Sequence, residues 1–325
     1  ASQNVAIGSL SSVTTTTGCK NTAVGHGSFY NNSTGDNNTA LGNFALNDNT
    51  TADDNTAVGY FALKANTTGA NNLAVGNIVL QANTTGLENT SVGSVSMCTN
   101  TTGCYNTALG TASLLKNTTA NSNTAVGHNS LQANTTGASN TAVGKDALFT
   151  NTTGVDNIAI GCCALHANTD CSENVAIGNF ALKSNDNTNT VGIGFKALCA
   201  NTTGANNTAV GTNSLDGNTT ASNNTALGKS SLGANTTGAR NTGIGQNALL
   251  VNTTGANNTA VGQGALEANT TASDNAAFGH DSLVANTTGT QNAAYGYRSM
   301  PANTTGSSNT AVGHQALGAN TTAGG

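Results

Sequence analysis

Asparagines followed two residues later by threonine recur along this chain, and that spacing is the acceptor sequence for N-linked glycans. The first set has sixteen members: Asn32, Asn49, Asn66, Asn83, Asn100, Asn117, Asn134, Asn151, Asn201, Asn218, Asn235, Asn252, Asn269, Asn286, Asn303 and Asn320. The second set has four members, which read NNT: Asn37, Asn206, Asn223 and Asn257. Because acceptors lie on exposed loops of secreted proteins, we expect both sets at the surface. The alternative is that Asn, Thr and Gly simply suit a turn.

The remaining reactive side chains form no catalytic or metal-binding pattern. The five histidines fall at places whose occupants vary along the chain: His26, His128, His166, His280 and His314. The acids are few and scattered, no GxSxG word appears, and the glycines do not open a phosphate-binding helix. The sequence therefore predicts no enzyme activity, no catalytic residue, no metal and no cofactor.

Seven cysteines remain, and their spacing does not suit a zinc site. In an oxidising, extracellular setting Cys98 could bond to Cys104, and Cys171 to either Cys162 or Cys163. The odd total leaves at least one thiol free or bonded to another chain. The alternative is that these cysteines are small apolar fillers at variable positions.

The glycan acceptors are part of a repeat that accounts for the sequence from end to end. The word NTAVG at Asn55 returns, with small variations, every 17 residues. We number the repeat from this asparagine, so that in residues 55–71 Asn55 is position 1 and Asn71 is position 17. Nineteen repeats start from Asn4, and the repeat at 174–189 is one residue short. We therefore expect one continuous domain over 1–325.

Each position of the repeat has its own residue type. Position 5 is always Gly, position 4 is always apolar, and position 9 is nearly always Leu. Positions 3 and 8 are small. Because neighbours in an extended strand point to opposite sides, we expect positions 4 and 9 in the core. Position 2 would then point inward and position 12 outward. Positions 3 and 8 would also point outward and pack against other backbone, either in a second chain or in another wall of the coil.

Seventeen residues are too few for a helical pair, so the sequence predicts an all-β, single-chain β-solenoid of the parallel β-roll or β-helix type. Its 19 coils would stack at roughly 4.7–4.9 Å and give a rod about 90 Å long. Equivalent residues would then form ladders along it, with stability accumulating coil by coil.

Repeats such as NTAVGYFALKANTTGAN, at 55–71, resemble the NSVAIG-type repeats in the β-roll heads of trimeric autotransporter adhesins. They also resemble the NTAVG repeats of phage and algal-virus tail fibres. The resemblance covers the whole chain through about five positions of the repeat. It implies a parallel β-roll in a fibrous, surface-exposed protein. The NTTG loop lengthens the present coil relative to those families.

Composition excludes several partners. Only 9 residues are Lys or Arg and the net charge is -5, so the basic surface that binds nucleic acid is missing. No apolar run approaches the roughly 18 residues of a membrane span, which predicts no membrane insertion.

These observations favour an extracellular or cell-surface structural protein, a glycosylated filament subunit that acts in adhesion or as a protective matrix. We expect chains to join head to tail, with Val5 and Ile7 of one chain continuing the ladders that end at Val312 and Leu317 of another, and to associate laterally along the small residues. A trimeric adhesin head or a viral or phage tail-fibre shaft is the alternative. Ice binding is the third hypothesis, disfavoured here because position 2 is expected to point inward.

Overall fold

The computed structural model describes residues 2–324, and its regular elements there are nineteen short β-strands. The strands are β1 (Val5–Ile7), β2 (Thr22–Val24), β3 (Thr39–Leu41), β4 (Thr56–Val58), β5 (Leu73–Val75), β6 (Thr90–Val92), β7 (Thr107–Leu109), β8 (Thr124–Val126), β9 (Thr141–Val143), β10 (Ile158–Ile160), β11 (Val175–Ile177), β12 (Val191–Ile193), β13 (Thr208–Val210), β14 (Thr225–Leu227), β15 (Thr242–Ile244), β16 (Thr259–Val261), β17 (Ala276–Phe278), β18 (Ala293–Tyr295) and β19 (Thr310–Val312). Each strand covers positions 2 to 4 of its repeat.

The chain divides into two compact units, residues 2–162 and residues 163–324. In the first unit, β1 to β10 pair in parallel, each with the strand of the next coil, as Thr56 pairs with Leu73. In the second unit, β11 to β19 pair in the same way. Paired residues are 17 apart, except that β11 pairs with β12 at an offset of 16, so the predicted all-β solenoid is confirmed.

The interior of each coil is lined by positions 3, 8 and 9. In the repeat at 55–71, Ala57, Ala62 and Leu63 are fully buried, while Val58 at position 4 is only half-buried. The prediction is therefore right for position 9 and wrong for position 4, and positions 3 and 8 point inward rather than outward.

A narrow interior explains this arrangement. At Gly192, which occupies position 3, an added Cβ would lie only 2.9 Å from Cγ of Leu182 in the preceding coil. The strand wall lies so close to the leucine column that only small side chains fit between them. The larger residues of positions 2 and 4 must consequently face outward.

Two kinds of left-handed backbone turn the chain. Gly59 has a φ of 134°, and a Cβ there would collide with the carbonyl group of Gly76 in the next coil, so position 5 requires glycine. Leu63 at position 9 has a φ of 50°, which is unfavourable for leucine. Its complete burial, which stabilises the fold by ~1.5–3 kcal/mol, offsets that cost.

We expect Ala142→Leu to destabilise the first unit by about 1–3 kcal/mol, because the larger side chain would be forced into the filled interior. The matched control is Val143→Leu, one residue further along β9 but pointing outward. Local hydrogen exchange at β8 to β10 would measure the difference. Equal protection in the two variants would contradict the packing of position 3.

Candidate interaction surface

The first set of acceptor asparagines, at position 12, lies inside the coil. Asn66 is fully buried, and its Nδ2 donates to Oδ1 of Asn49 at 3.0 Å and to the carbonyl of Gly69 at 2.8 Å. Asn83 repeats the arrangement one coil later by donating to Oδ1 of Asn66 at 2.8 Å. The expectation that these asparagines are exposed is wrong, because an amide ladder satisfies their polar groups in the interior.

This amide ladder is present in both units. Asn320, the last of the sixteen first-set asparagines, is half-buried. The other fifteen are buried: Asn32, Asn49, Asn66, Asn83, Asn100, Asn117, Asn134, Asn151, Asn201, Asn218, Asn235, Asn252, Asn269, Asn286 and Asn303. A glycan on Nδ2 would replace one of its two donated hydrogens. In the folded chain these positions could therefore carry sugar only if the ladder opened.

The second set of acceptors differs in its surroundings. Asn37, Asn206, Asn223 and Asn257, all at position 17, are exposed. Each has a left-handed backbone, with φ between 57° and 63°, which asparagine tolerates well. For these four residues the expected exposure is confirmed.

Two further ladders tie neighbouring coils together. At position 1, the backbone N–H of Asn72 donates to Oδ1 of Asn55 at 2.9 Å. At position 13, the hydroxyl of Thr67 donates to the carbonyl of Thr84 at 3.0 Å. These asparagines and threonines therefore stabilise the fold by joining each coil to the next.

The outward side chains of positions 2 and 4 make a continuous surface on each unit, which we call the strand face. In β3 these side chains are Thr39 and Leu41, and Leu41 is 46 % exposed. No charged residue occupies either position in any of the nineteen repeats. Each unit therefore presents an uncharged face with one row of mostly threonine and one row of apolar side chains.

The threonines at position 2 have hydroxyls that are available to a partner. The hydroxyls of Thr56, Thr90 and Thr107 make no hydrogen bond to any of residues 2–324. By contrast, position-13 hydroxyls such as those of Thr67 and Thr84 donate to a carbonyl of the next coil. The expectation that position 2 points inward, which disfavoured ice binding, is wrong.

The strand face of the second unit changes character at two coils. Phe278 and Tyr295 occupy position 4 of β17 and β18, and their rings stack with centroids 5.0 Å apart and planes 6° apart. At position 2 of the same strands stand Ala276 and Ala293. Where position 4 is largest, position 2 is smallest.

Cys98 and Cys104, which were expected to form a disulfide within one repeat, are not bonded to each other. Cys98 and Cys104 are both free thiols, and Cys104 Sγ lies 3.3 Å from the carbonyl of Thr102. Burial raises the pKa of the Cys98 thiol. The expected disulfide between them is not formed in the structure. The pairing of Cys171 with Cys162 or Cys163 stays a prediction.

Cys171 has the most strongly shifted pKa described for this chain. Burial raises its pKa to about 11, with Asp186 and Asp170 adding to the effect. Its Sγ lies 3.6 Å from Oδ1 of Asp170 and 3.8 Å from Oδ1 of Asp186. These three side chains could together offer one metal ion three ligand atoms within 4.8 Å, but two of them are exposed acids.

In the reduced chain at pH 8 we expect Cys171 to react with a thiol-alkylating reagent about 100-fold more slowly than a short cysteine peptide, because a pKa of about 11 leaves little thiolate. Asp186→Asn should raise this rate, since removing the negative charge lowers the pKa. Peptide mass spectrometry over time would follow the reaction. A rate equal to that of the peptide would contradict the shift.

The remaining features give no enclosed site. Residues 2–324 contain no pocket for a small molecule, and none of their segments is a helix long and apolar enough to cross a membrane. The histidines do not converge: His280, Tyr297 and His314 form a surface stack with centroids 5.4 and 5.3 Å apart. The strand face is therefore the main candidate for function.

Comparison with models of known protein families and with curated proteins gives no match for this chain.

Proposed function

We propose that the chain is a structural subunit of an extracellular fibre, in which several copies associate side by side through their strand faces. The observation that supports this most strongly is the row of outward apolar side chains at position 4. Ten of them are 36–72 % exposed: Ile7, Leu41, Val92, Leu109, Ile160, Ile177, Leu227, Phe278, Tyr295 and Val312. Five of them lie in each unit, and a soluble monomer rarely exposes such a row of apolar side chains.

A second copy of the chain is the partner that the strand face suits best. The face has no charge, so two such faces meet without burying an unpaired ion. The pairing of Phe278 and Tyr295 with Ala276 and Ala293 supports a packed interface. Space that is limited by another chain favours such compensation in size, whereas open solvent imposes no such limit.

The resemblance to trimeric autotransporter heads and tail-fibre repeats favours three chains in the assembly. It also favours a role in adhesion or as a fibre shaft. Head-to-tail joining through Val5, Ile7, Val312 and Leu317 is a further part of this proposal. Three of these residues belong to the strand face, and Leu317 belongs to the interior leucine column.

The mass of the purified chain in solution tests the proposal. A side-by-side trimer has three times the mass of the 31.9 kDa chain. Sedimentation equilibrium would give that mass, and electron microscopy of the native source would locate the fibre at the cell or particle surface. A chain that stays at 31.9 kDa at high concentration would contradict lateral association.

Ice binding is a second candidate, favoured by the unpaired hydroxyls of position 2. Thr107, Thr124 and Thr141 present these hydroxyls in register on neighbouring parallel strands, beside a row of apolar groups. Adsorption to a crystal of water needs such a regular, uncharged surface. Thermal hysteresis and ice shaping by the monomeric chain would favour this candidate, whereas an oligomer without either activity would favour the fibre.

A further inference from the structure

We infer that the folded chain offers the four NNT asparagines at position 17 as N-glycan acceptors and withholds the sixteen acceptor asparagines at position 12, fifteen of which are buried. The inference does not depend on the fibre proposal. It rests on a difference in surroundings between two sets of residues that share one acceptor sequence.

At position 17 both groups that an oligosaccharyltransferase must reach lie outside the coil. Asn206 is exposed, and Thr208, two residues later, is a half-buried strand-face residue. The hydroxyl of Thr208 makes no hydrogen bond to any of residues 2–324, as is also true of Thr39 and Thr259. Neither the amide nor the hydroxyl has to leave the coil interior for the reaction.

The transfer itself explains why position 12 is excluded. The donor is a polyprenyl-pyrophosphate-linked oligosaccharide. Nδ2 of asparagine attacks C1 of its first sugar, a C1–N bond forms, the C1–O bond to pyrophosphate breaks, and one amide proton passes to a base. At Asn134 both amide hydrogens are already donated, to Oδ1 of Asn117 at 3.0 Å and to the carbonyl of Gly137 at 2.9 Å.

Modification at position 12 would also block folding. A sugar on Asn134 would have to occupy the interior, where the residue is fully buried, and would remove one rung of the ladder. A chain glycosylated there before folding could not close that coil. The inference therefore makes folding and glycosylation alternatives at position 12 and compatible events at position 17.

The chain supplies a natural control at Asn71. This residue is exposed at position 17 with a φ of 59°, like the four acceptors, but Leu73 stands two residues later and no acceptor sequence exists. Leu73→Thr would create the sequence at an otherwise unchanged site. We expect Asn71 to become an acceptor in that variant.

The test uses purified oligosaccharyltransferase, its lipid-linked oligosaccharide and the full chain produced without glycans. Val126→Lys and Val143→Lys are included so that association cannot cover position 2. Folded and urea-unfolded, refolding-blocked samples are treated alike, and glycopeptides are quantified by mass spectrometry. In the folded sample we expect occupancy at Asn37, Asn206, Asn223 and Asn257 to exceed that at any position-12 asparagine at least tenfold.

Further results decide between the inference and its failure. Modification of position-12 peptides only after unfolding, together with new modification at Asn71 in the Leu73→Thr variant, supports it. Substantial modification at position 12 in the folded chain overturns it. Absence of modification at all four NNT sites in the folded chain overturns it as well, whatever the unfolded chain does.

Discussion

Lysine in place of Val126 and Val143 should leave the solenoid folded and separate the chains. Both valines are half-buried at position 4 of β8 and β9, so a long side chain can extend into solvent in a single chain. In the proposed fibre the same lysines would be buried without partners and would face their copies. An unpaired charge at an interface costs about 2 kcal/mol or more, which lowers the association constant at least about 30-fold per lysine.

Sedimentation equilibrium would measure the separation, and circular dichroism would report whether the coil persists. Thr136→Lys serves as the control, because Thr136 is exposed on the loop corner of the same unit and away from the strand face. We expect this variant to keep the mass of the wild type. Identical masses for all three proteins would remove the support for lateral association through positions 2 and 4.

Asn117→Asp should open the amide ladder of the first unit. Asn117 donates from Nδ2 to Oδ1 of Asn100 at 2.8 Å and accepts from Nδ2 of Asn134 at 3.0 Å. An ionised carboxyl cannot donate, so it would set an oxygen against Oδ1 of Asn100 in a fully buried position. The new carboxylate and Oδ1 of Asn100 are then two buried groups without a donor between them. At about 1–3 kcal/mol each, they should lower the free energy of unfolding by about 2–6 kcal/mol at neutral pH.

The loss should depend on pH. Burial raises the pKa of the introduced carboxyl above its unfolded value of about 3.9, so its protonated form is favoured in the folded chain. Stability of the variant relative to the wild type is then highest below about pH 4 and falls as pH rises through the folded-state pKa. Hydrogen exchange around residues 100–134 would measure it, because a repeat protein need not unfold in one step.

The comparison for this variant is Asn77→Asp, which changes the same group at an exposed position 6. We expect little change in local exchange there at any pH. A similar loss at both sites would point to net charge rather than to the ladder.

Periodicity was enough to predict the solenoid, its 17-residue coil and the leucine column. The structure explains the invariant glycine at position 5, because Gly59 has a backbone conformation that other residues avoid. These features depend on one coil repeating the last. Any regular stacking at this period would produce them.

Which side chains of the strand face the interior could not be derived in the same way. A three-residue strand such as β4 buries either Ala57 alone or both Thr56 and Val58, and hydrophobicity favours the second choice. The width of the coil interior decides which of these side chains are buried, and that width depends on the backbone of all the residues in the coil. The left-handed conformation of Leu63 is one part of that turn, and nothing in leucine's own preferences indicates it.

The interaction surface was missed for the same reason, because the strand face exists only once Ala57 is known to be inside. The burial of position 12 was missed because a single asparagine in an apolar interior is unfavourable. Only the stacking of Asn66 between Asn49 and Asn83 makes it favourable. Both errors arise because packing and hydrogen bonding between neighbouring coils cannot be derived from one repeat alone.

The short repeat at 174–189 has a consequence for how such a gene can change. Val175 pairs with Val191 at an offset of 16 instead of 17, so the strand register survives the loss of one residue. The loop absorbs the difference, since Nδ2 of Asn185 donates to the carbonyl of Asn187 at 2.8 Å. A single codon can therefore be lost between position 12 and the next strand while the pairing of the flanking strands is kept.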